Sequence, residues 1–146
     1  MGEGAGDSSA GGVPPAVAVE YLATEVTVEI DGRWVDVASA VASLGSPVVV
    51  ITAWNPDSEA LADAENAERN ERLSSDLTRL TDRIFPAVGR SPDGSWEESS
   101  FAIVGVAEAE VLALGRRYGQ AAIFASDGTE LRVLGCFGGW VLDRPL

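Results

Sequence analysis

The chain has 146 residues, enough for a single domain with one sizeable core. Hydrophobic residues make up 46% of it, which excludes a wholly disordered chain, and a net charge of −13 argues against nucleic acid or an anionic membrane as a partner. Histidine is absent and Cys136 is the single cysteine, so Ser-His-Asp and Cys-His catalysis, His-ligated zinc and an internal disulfide are excluded.

All ten basic residues are Arg, a compositional bias without functional content. The first residues lack the basic and apolar regions of a secretory signal, and no apolar run approaches the ~18 residues of a membrane span. A soluble, cytoplasmic protein is the expectation.

Residues 1–15 are Gly, Ala, Ser, acid and Pro without periodicity and read as a disordered tail, leaving residues 16–146 as one globular domain. A first strand is expected over Tyr21 to Ile30, with Leu22, Val26, Val28 and Ile30 on one face. Asp31-Gly32 is a hairpin signal returning through Arg33 to Val37. Ala38 to Leu44 suits a short helix ended by Gly45.

Val48 to Trp54 is apolar on both faces, the mark of an interior strand. A long helix is expected after Asn55-Pro56-Asp57, with Ser58 as its N-cap and Glu65–Arg69 and Glu68–Arg72 as i,i+4 pairs worth ~0.3 kcal/mol each on its wet side. Read backwards, its core stripe is Ile84, Leu80, Leu77, Leu73, and then Asn70 and Asn66. Two amides thus stand where a packing helix places Leu or Ile, and a buried amide left unpaired costs about 1–3 kcal/mol. Pro86 marks the helix stop.

A second hairpin runs from Ala87–Arg90 to Trp96–Val104 around Ser91-Pro92-Asp93-Gly94. A helical segment follows over about Ala107 to Tyr118, closed by Gly119. Gln120 to Ala125 and Glu130 to Cys136 form a third hairpin around Asp127-Gly128, and the last ten residues, with Trp140, read as a docked or frayed tail. The expected fold is therefore α+β: a single domain with a mixed β-sheet and three β-hairpins, one long and one or two shorter helices packed mainly on one face, and Val48–Trp54 and Gln120–Ala125 inside the sheet.

Four motifs carry a resemblance: Ile51-Thr52-Ala53-Trp54-Asn55-Pro56, Asn66-x-x-x-Asn70, Ser91-Pro92-Asp93-Gly94-Ser95-Trp96-x-Glu98-x-Ser100, and Tyr118-Gly119-Gln120-x-Ala122-Ile123-Phe124. With these the chain resembles the DUF3293 family of uncharacterised bacterial proteins, over roughly Tyr21 to Cys136. The resemblance implies a small bacterial cytoplasmic protein and brings no activity with it.

Two constellations carry candidate chemistry. Asn55, Asn66 and Asn70 place uncharged donors and acceptors at the carboxyl end of a central strand, where open sheets bind ligands. The structural alternative is that they bond the Trp54–Ser58 turn and hold the helix to the sheet. In the loop from Arg90 to Glu98, Arg90 could clamp an anion, Trp96 stack on a ring, and Glu98 act as base or metal ligand. Its alternative is an ordinary hairpin turn with Trp96 in the core and Arg90 paired to a neighbouring Glu. The two form one site only if this hairpin folds over Asn66 and Asn70.

Other features read as structural. Asp57, Glu59 and Asp63 make the start of the long helix unsuited to phosphate, and no Asp-x-Asp-x-Asp-Gly loop offers a cation site. Gly119 is a helix C-cap before Gln120, Cys136 is a small core residue, and Arg69, Arg72, Arg79 and Arg83 form a solvated face.

The functional expectation is a non-catalytic ligand-binding or interaction module contacting its ligand through Asn55, Asn66, Asn70, Arg90, Trp96 and Glu98, with no cofactor or metal. The partner is a small molecule or a protein of unknown identity, and the oligomeric state is not encoded legibly. The rival is a His-free enzyme on small nucleotide-like or acidic substrates, with Glu98 or Glu97 as base and Arg90 as anion clamp. A third reading is partner docking through a sheet edge or the Trp140 tail.

Overall fold

The computed structural model describes residues 12–146, so most of the tail expected over residues 1–15 lies outside the described residues. In chain order the elements are α1 (Ala18–Leu22), β1 (Glu25–Ile30), β2 (Arg33–Asp36), α2 (Val37–Leu44), β3 (Val48–Ile51), a 3-10 turn (Pro56–Ser58), α3 (Asp63–Thr78), β4 (Ile84–Arg90), β5 (Glu97–Ile103), α4 (Glu108–Arg117), β6 (Ala122–Ser126), β7 (Glu130–Gly135) and β8 (Val141–Pro145). The strands form one eight-stranded sheet in the order β2-β1-β4-β5-β3-β6-β7-β8. This is the expected α+β single domain, with β3 and β6 in the interior.

The pairing, however, is antiparallel throughout where a mixed sheet was expected. The reason lies in the two helical crossovers. The chain passes from β3 through α3 to β4, and from β5 through α4 to β6, and each crossover steps over one strand of the other pair. Strands that run parallel therefore alternate with antiparallel ones and never touch. The hairpins at Asp31-Gly32, Ser91–Trp96 and Asp127-Gly128 supply local pairs, and β7–β8 adds a fourth.

The sheet has a core on each face. Val49, Ile51, Ile103, Ile123 and Ala125 pack with Leu73 and Leu77 of α3 and with Val111 and Leu114 of α4. On the opposite face Val26, Val28, Val48, Val50, Ala87, Ala102 and Leu131 meet Val37, Ala40 and Val41 of α2, while Ala18 of α1 packs with Val133 and Trp140. The two longer helices thus share one face, and the two shorter ones cover the other. Asp36 caps α2, its carboxylate accepting from Ser39 N at 2.8 Å, and Gly45 closes it in a left-handed conformation at φ 66°.

Four local expectations are corrected. Tyr21 and Leu22 belong to a short helix, and β1 begins only at Glu25. This helix is held from outside: Arg144 of β8 donates from Nε to Leu22 O at 2.6 Å and from Nη2 to Thr24 O at 2.9 Å. The long helix starts at Asp63, not after Ser58, and stops at Thr78, so Leu80 is 40% exposed and Ile84 opens a strand. Pro86 sits inside β4 opposite Phe101, one residue beyond the stretch Ala87–Arg90 that pairs with β1. Its missing N–H therefore costs no ladder bond on that free edge. The final residues form edge strand β8, with Trp140 only 4% exposed, which removes that side chain as an exposed docking group. No helix among the described residues is long and apolar enough to cross a membrane.

Trp140 seats flat on β7 because Gly135 has no side chain; a Cβ there would collide with the indole. Gly135→Ala is expected to lose about 1–3 kcal/mol in a denaturant melt, the usual cost of overpacking a fitted contact.

Candidate functional site

The chain leaves the sheet after Ile51, where β3 ends its pairing with β5. From here the backbone is buried or half-buried without a strand partner, and buried amide groups need partners. Side chains supply them. Asn70 Oδ1 accepts from Ala53 N at 2.9 Å, and its Nδ2 donates to Ser99 O, also at 2.9 Å. Asn66 Oδ1 accepts from Asn55 N at 2.8 Å, and its Nδ2 donates to Asn55 Oδ1 at 2.8 Å. Arg69, between them on α3, donates to Ala53 O at 2.8 Å and to Tyr118 O. Gln120 Nε2 donates to Trp54 O at 3.2 Å.

The loop fastened in this way is bent hard. Asn55, Asp57 and Ser58 all take positive φ, at 46°, 55° and 57°. Non-glycine residues pay about 1–3 kcal/mol for such conformations and hold them only when the surroundings leave no alternative. The loop is further tied by Asp57 N donating to Gly119 O at 2.8 Å, and by the hydroxyls of Ser58 and Tyr21, 3.0 Å apart.

Between this loop, the α2-side face of the sheet and α1 lies a cavity of about 310 Å³. Val50, Thr52, Ser100, Ala122 and Phe124 make its floor; Tyr21 and Thr24 come from the α1 side; Asn55, Trp96, Glu98 and Gln120 complete the wall. That volume is at the lower end of the ~300–1,000 Å³ typical of small-molecule sites. A second, wider depression of about 600 Å³ lies at the opposite end of β3 and β6, where Arg132 pairs with Glu108 at 2.7 Å.

Glu98 is the chemically distinctive group of the first cavity. Burial pushes its carboxyl up from the ordinary value to about 7, and a hydrogen bond from the Asn55 side chain only partly opposes this. Asn55 Oδ1 already accepts from Leu61 N at 3.0 Å and from Asn66 Nδ2, which leaves its amide N–H groups for Glu98. The hairpin that presents Glu98 and Trp96 is self-braced. Asp93 Oδ1 accepts from Ser91 Oγ at 2.8 Å and Ser95 N at 3.0 Å, and these bonds pull its carboxyl down to about 2. Ser91 Oγ in turn accepts from Trp96 N at 3.1 Å.

Of the six residues singled out in the sequence, the structure brings Asn55, Trp96 and Glu98 to the cavity. Asn66 and Asn70 stand behind the loop on the α3 side and position its backbone. Arg90 is on the far face: it pairs in register with Glu97, as Gly89 does with Glu98, so Arg90 and Glu98 point to opposite sides of the sheet. There Arg90 meets Glu25 at 3.4 Å. The Arg90–Glu98 combination of clamp and base therefore does not form, while the Asn pair meets the hairpin through Asn70 Nδ2 on Ser99 O and not through Arg90.

Tyr21, Thr24, Thr52, Ser100 and Phe124 are cavity residues that sequence reasoning passed over. Thr52 and Ser100 could have been found from the period-2 alternation that puts them on the face of Val50 and Glu98. Arg69 is a tie between α3 and the loop rather than part of a wet face; its place, one turn from Asn66 and Leu73, was the available signal. Glu68–Arg72 forms at 3.8 Å, while Arg69 has left Glu65 for Ala53 O. Cys136 is buried and its thiol pushed up to about 11, consistent with an inert core residue.

The fold and cavity define an α+β domain with a compact, partly polar cleft beside the carboxyl end of a central strand. The chain belongs to the family described as Protein of unknown function (DUF3293), whose match runs over residues 51–123, half of the chain and a narrower stretch than the Tyr21–Cys136 span expected. No curated protein and no solved structure matches it.

Asn66→Ala and Asn70→Ala are each expected to lose about 1–3 kcal/mol in denaturant melts, because each strands a backbone N–H, buried at Ala53 and half-buried at Asn55. Glu98 gives a pH signature. Its folded value lies above the ordinary 4.5, so the protonated form favours the fold below about 4.5 and that advantage is lost as pH rises through about 7. Glu98→Gln should therefore raise stability by roughly 1–3 kcal/mol at pH 8 and by little at pH 5, read as the shift in denaturant midpoint at the two pH values.

Proposed function

We propose that this protein binds a small molecule in the cavity beneath α1, with Glu98 and Asn55 as its polar anchor, Trp96 in its wall and Phe124 in its apolar floor. One observation carries the reading: a carboxyl is kept in a cleft large enough for a ligand, against its own desolvation, with a neutral amide as its partner. A carboxylate with only a structural task is better placed beside an arginine or on the surface. The braced hairpin and the strained, fully bonded loop support the same reading, since they hold Trp96, Glu98 and Asn55 before any ligand arrives.

A second reading shares the site. A carboxyl near 7 is suited to moving a proton at neutral pH, so a turnover role for Glu98 on a bound substrate is the enzymatic version of the proposal. In either version Asn66, Asn70 and Arg69 position the loop without touching the ligand.

The test is a fragment screen followed by amide and indole NMR shifts. Hits are expected to move the Trp96 indole and Gln120 side-chain signals, and to lose binding in Ser100→Leu, which fills the floor. Hits that leave both signals unmoved, or that bind Ser100→Leu equally well while that variant still melts cooperatively, would overturn the proposal.

A further inference from the structure

The chemistry left open in the cavity is one-sided. Among its lining residues the charged ones are Glu98 and, at the rim, Glu20; neither Arg nor any other cation lines it, and the chain contains no Lys or His. The hydroxyl protons of the floor are spent within the protein. Thr52 Oγ1 donates to Ser99 O at 2.6 Å, and Ser100 Oγ donates to Glu98 O at 3.2 Å. Gln120 is 7% exposed, and its Nε2 is engaged by Trp54 O and Tyr118 O, at 3.2 and 3.4 Å. Its Oε1 accepts no hydrogen bond among the described residues. Thr52 Oγ1 also accepts from Trp54 N at 3.0 Å. Apart from the Asn55 amide turned to Glu98, the Trp96 indole N–H and the Tyr21–Ser58 hydroxyl pair at the margins, the polar groups of the lining are acceptors: the Glu98 carboxyl, the Gln120 carbonyl and the Ser100 hydroxyl oxygen. An anion would meet like charge and no cation, whereas a donor-rich cation meets carboxyl and carbonyl partners.

The rest of the wall is apolar or aromatic. Val50, Ala122 and Phe124 form the floor, and Trp96 and Tyr21 stand at its margins, where a ring face can also attract a cation. Resting on the small-molecule reading above, we propose that the cavity selects compact organic cations, protonated amines with a short apolar or aromatic body, whose ammonium group sits against Glu98 and Gln120. This departs from the nucleotide-like or acidic substrates of the rival enzyme reading, which used Arg90 as anion clamp; Arg90 is on the other face of the sheet.

Three probes of one shape separate the possibilities: benzylamine, benzyl alcohol and benzoate, titrated into the full chain at pH 7.5 and followed by the Trp96 indole and Gln120 side-chain NMR signals. Benzylamine should bind at least about tenfold more tightly than benzyl alcohol, and benzoate should leave the signals unmoved. Glu98→Gln should abolish the preference for the amine over the alcohol while its melt remains cooperative. Equal or tighter binding of the alcohol or benzoate overturns the cation assignment and leaves the small-molecule reading standing. Absence of binding by all three, together with a blank fragment screen, overturns both.

Discussion

Everything at this end of the molecule depends on one obligation: the backbone of Ala53 and Asn55 leaves the sheet while still buried and must find hydrogen-bond partners. Side chains from α3 meet it. Asn70 reaches the first N–H, Asn66 the second, and Arg69 the carbonyl between them. Because Asn70 also grips Ser99 O, one amide ties the loop to the strand that carries Glu98. The two walls of the cavity are therefore set relative to each other by a residue that lies outside it.

That arrangement explains why a helix stripe made of Leu73 and Leu77 continues in asparagine. Leucine at position 66 or 70 would fill the space and leave an N–H without a partner. Asparagine fits because it offers an acceptor and a donor on one short, stiff side chain, so each residue closes two bonds at once. The loop can then hold three left-handed residues, and Asn55 can turn its amide toward Glu98. Rigidity is concentrated around a group whose own charge is left poorly compensated, a distribution that suits binding better than bare stability.

Much of this was legible in the sequence. The 3.6-residue period marked Asn66 and Asn70 as buried, and the unbroken apolar run marked β3 as interior. Asp-Gly turns gave the first and third hairpins. What escaped has specific causes. α1 is five residues long and stands because Arg144, from the other end of the chain, bonds its exit; no local pattern announces it. The separation of Arg90 from Glu98 depends on the register of the hairpin, and a slip of one residue would have put both on one face. That register is set by the Ser91–Asp93–Ser95 hydrogen bonds, which composition alone does not order. The antiparallel sheet arises from two interleaved crossovers, a relation between distant segments.

The family match and the cavity divide the molecule unevenly. Asn55, Trp96, Glu98, Ser100 and Gln120 all lie within residues 51–123, whereas Tyr21, Thr24 and Arg144 lie outside them. The polar anchor thus lies inside the matched stretch and the roof outside it. The matched stretch carries Thr52, Ser100 and Ala122 of the floor but neither Val50 nor Phe124, so a chain sharing only that stretch must complete and close the pocket with segments of its own. Size and shape discrimination can then diverge by exchanging the cover, with the charge chemistry beneath it left in place.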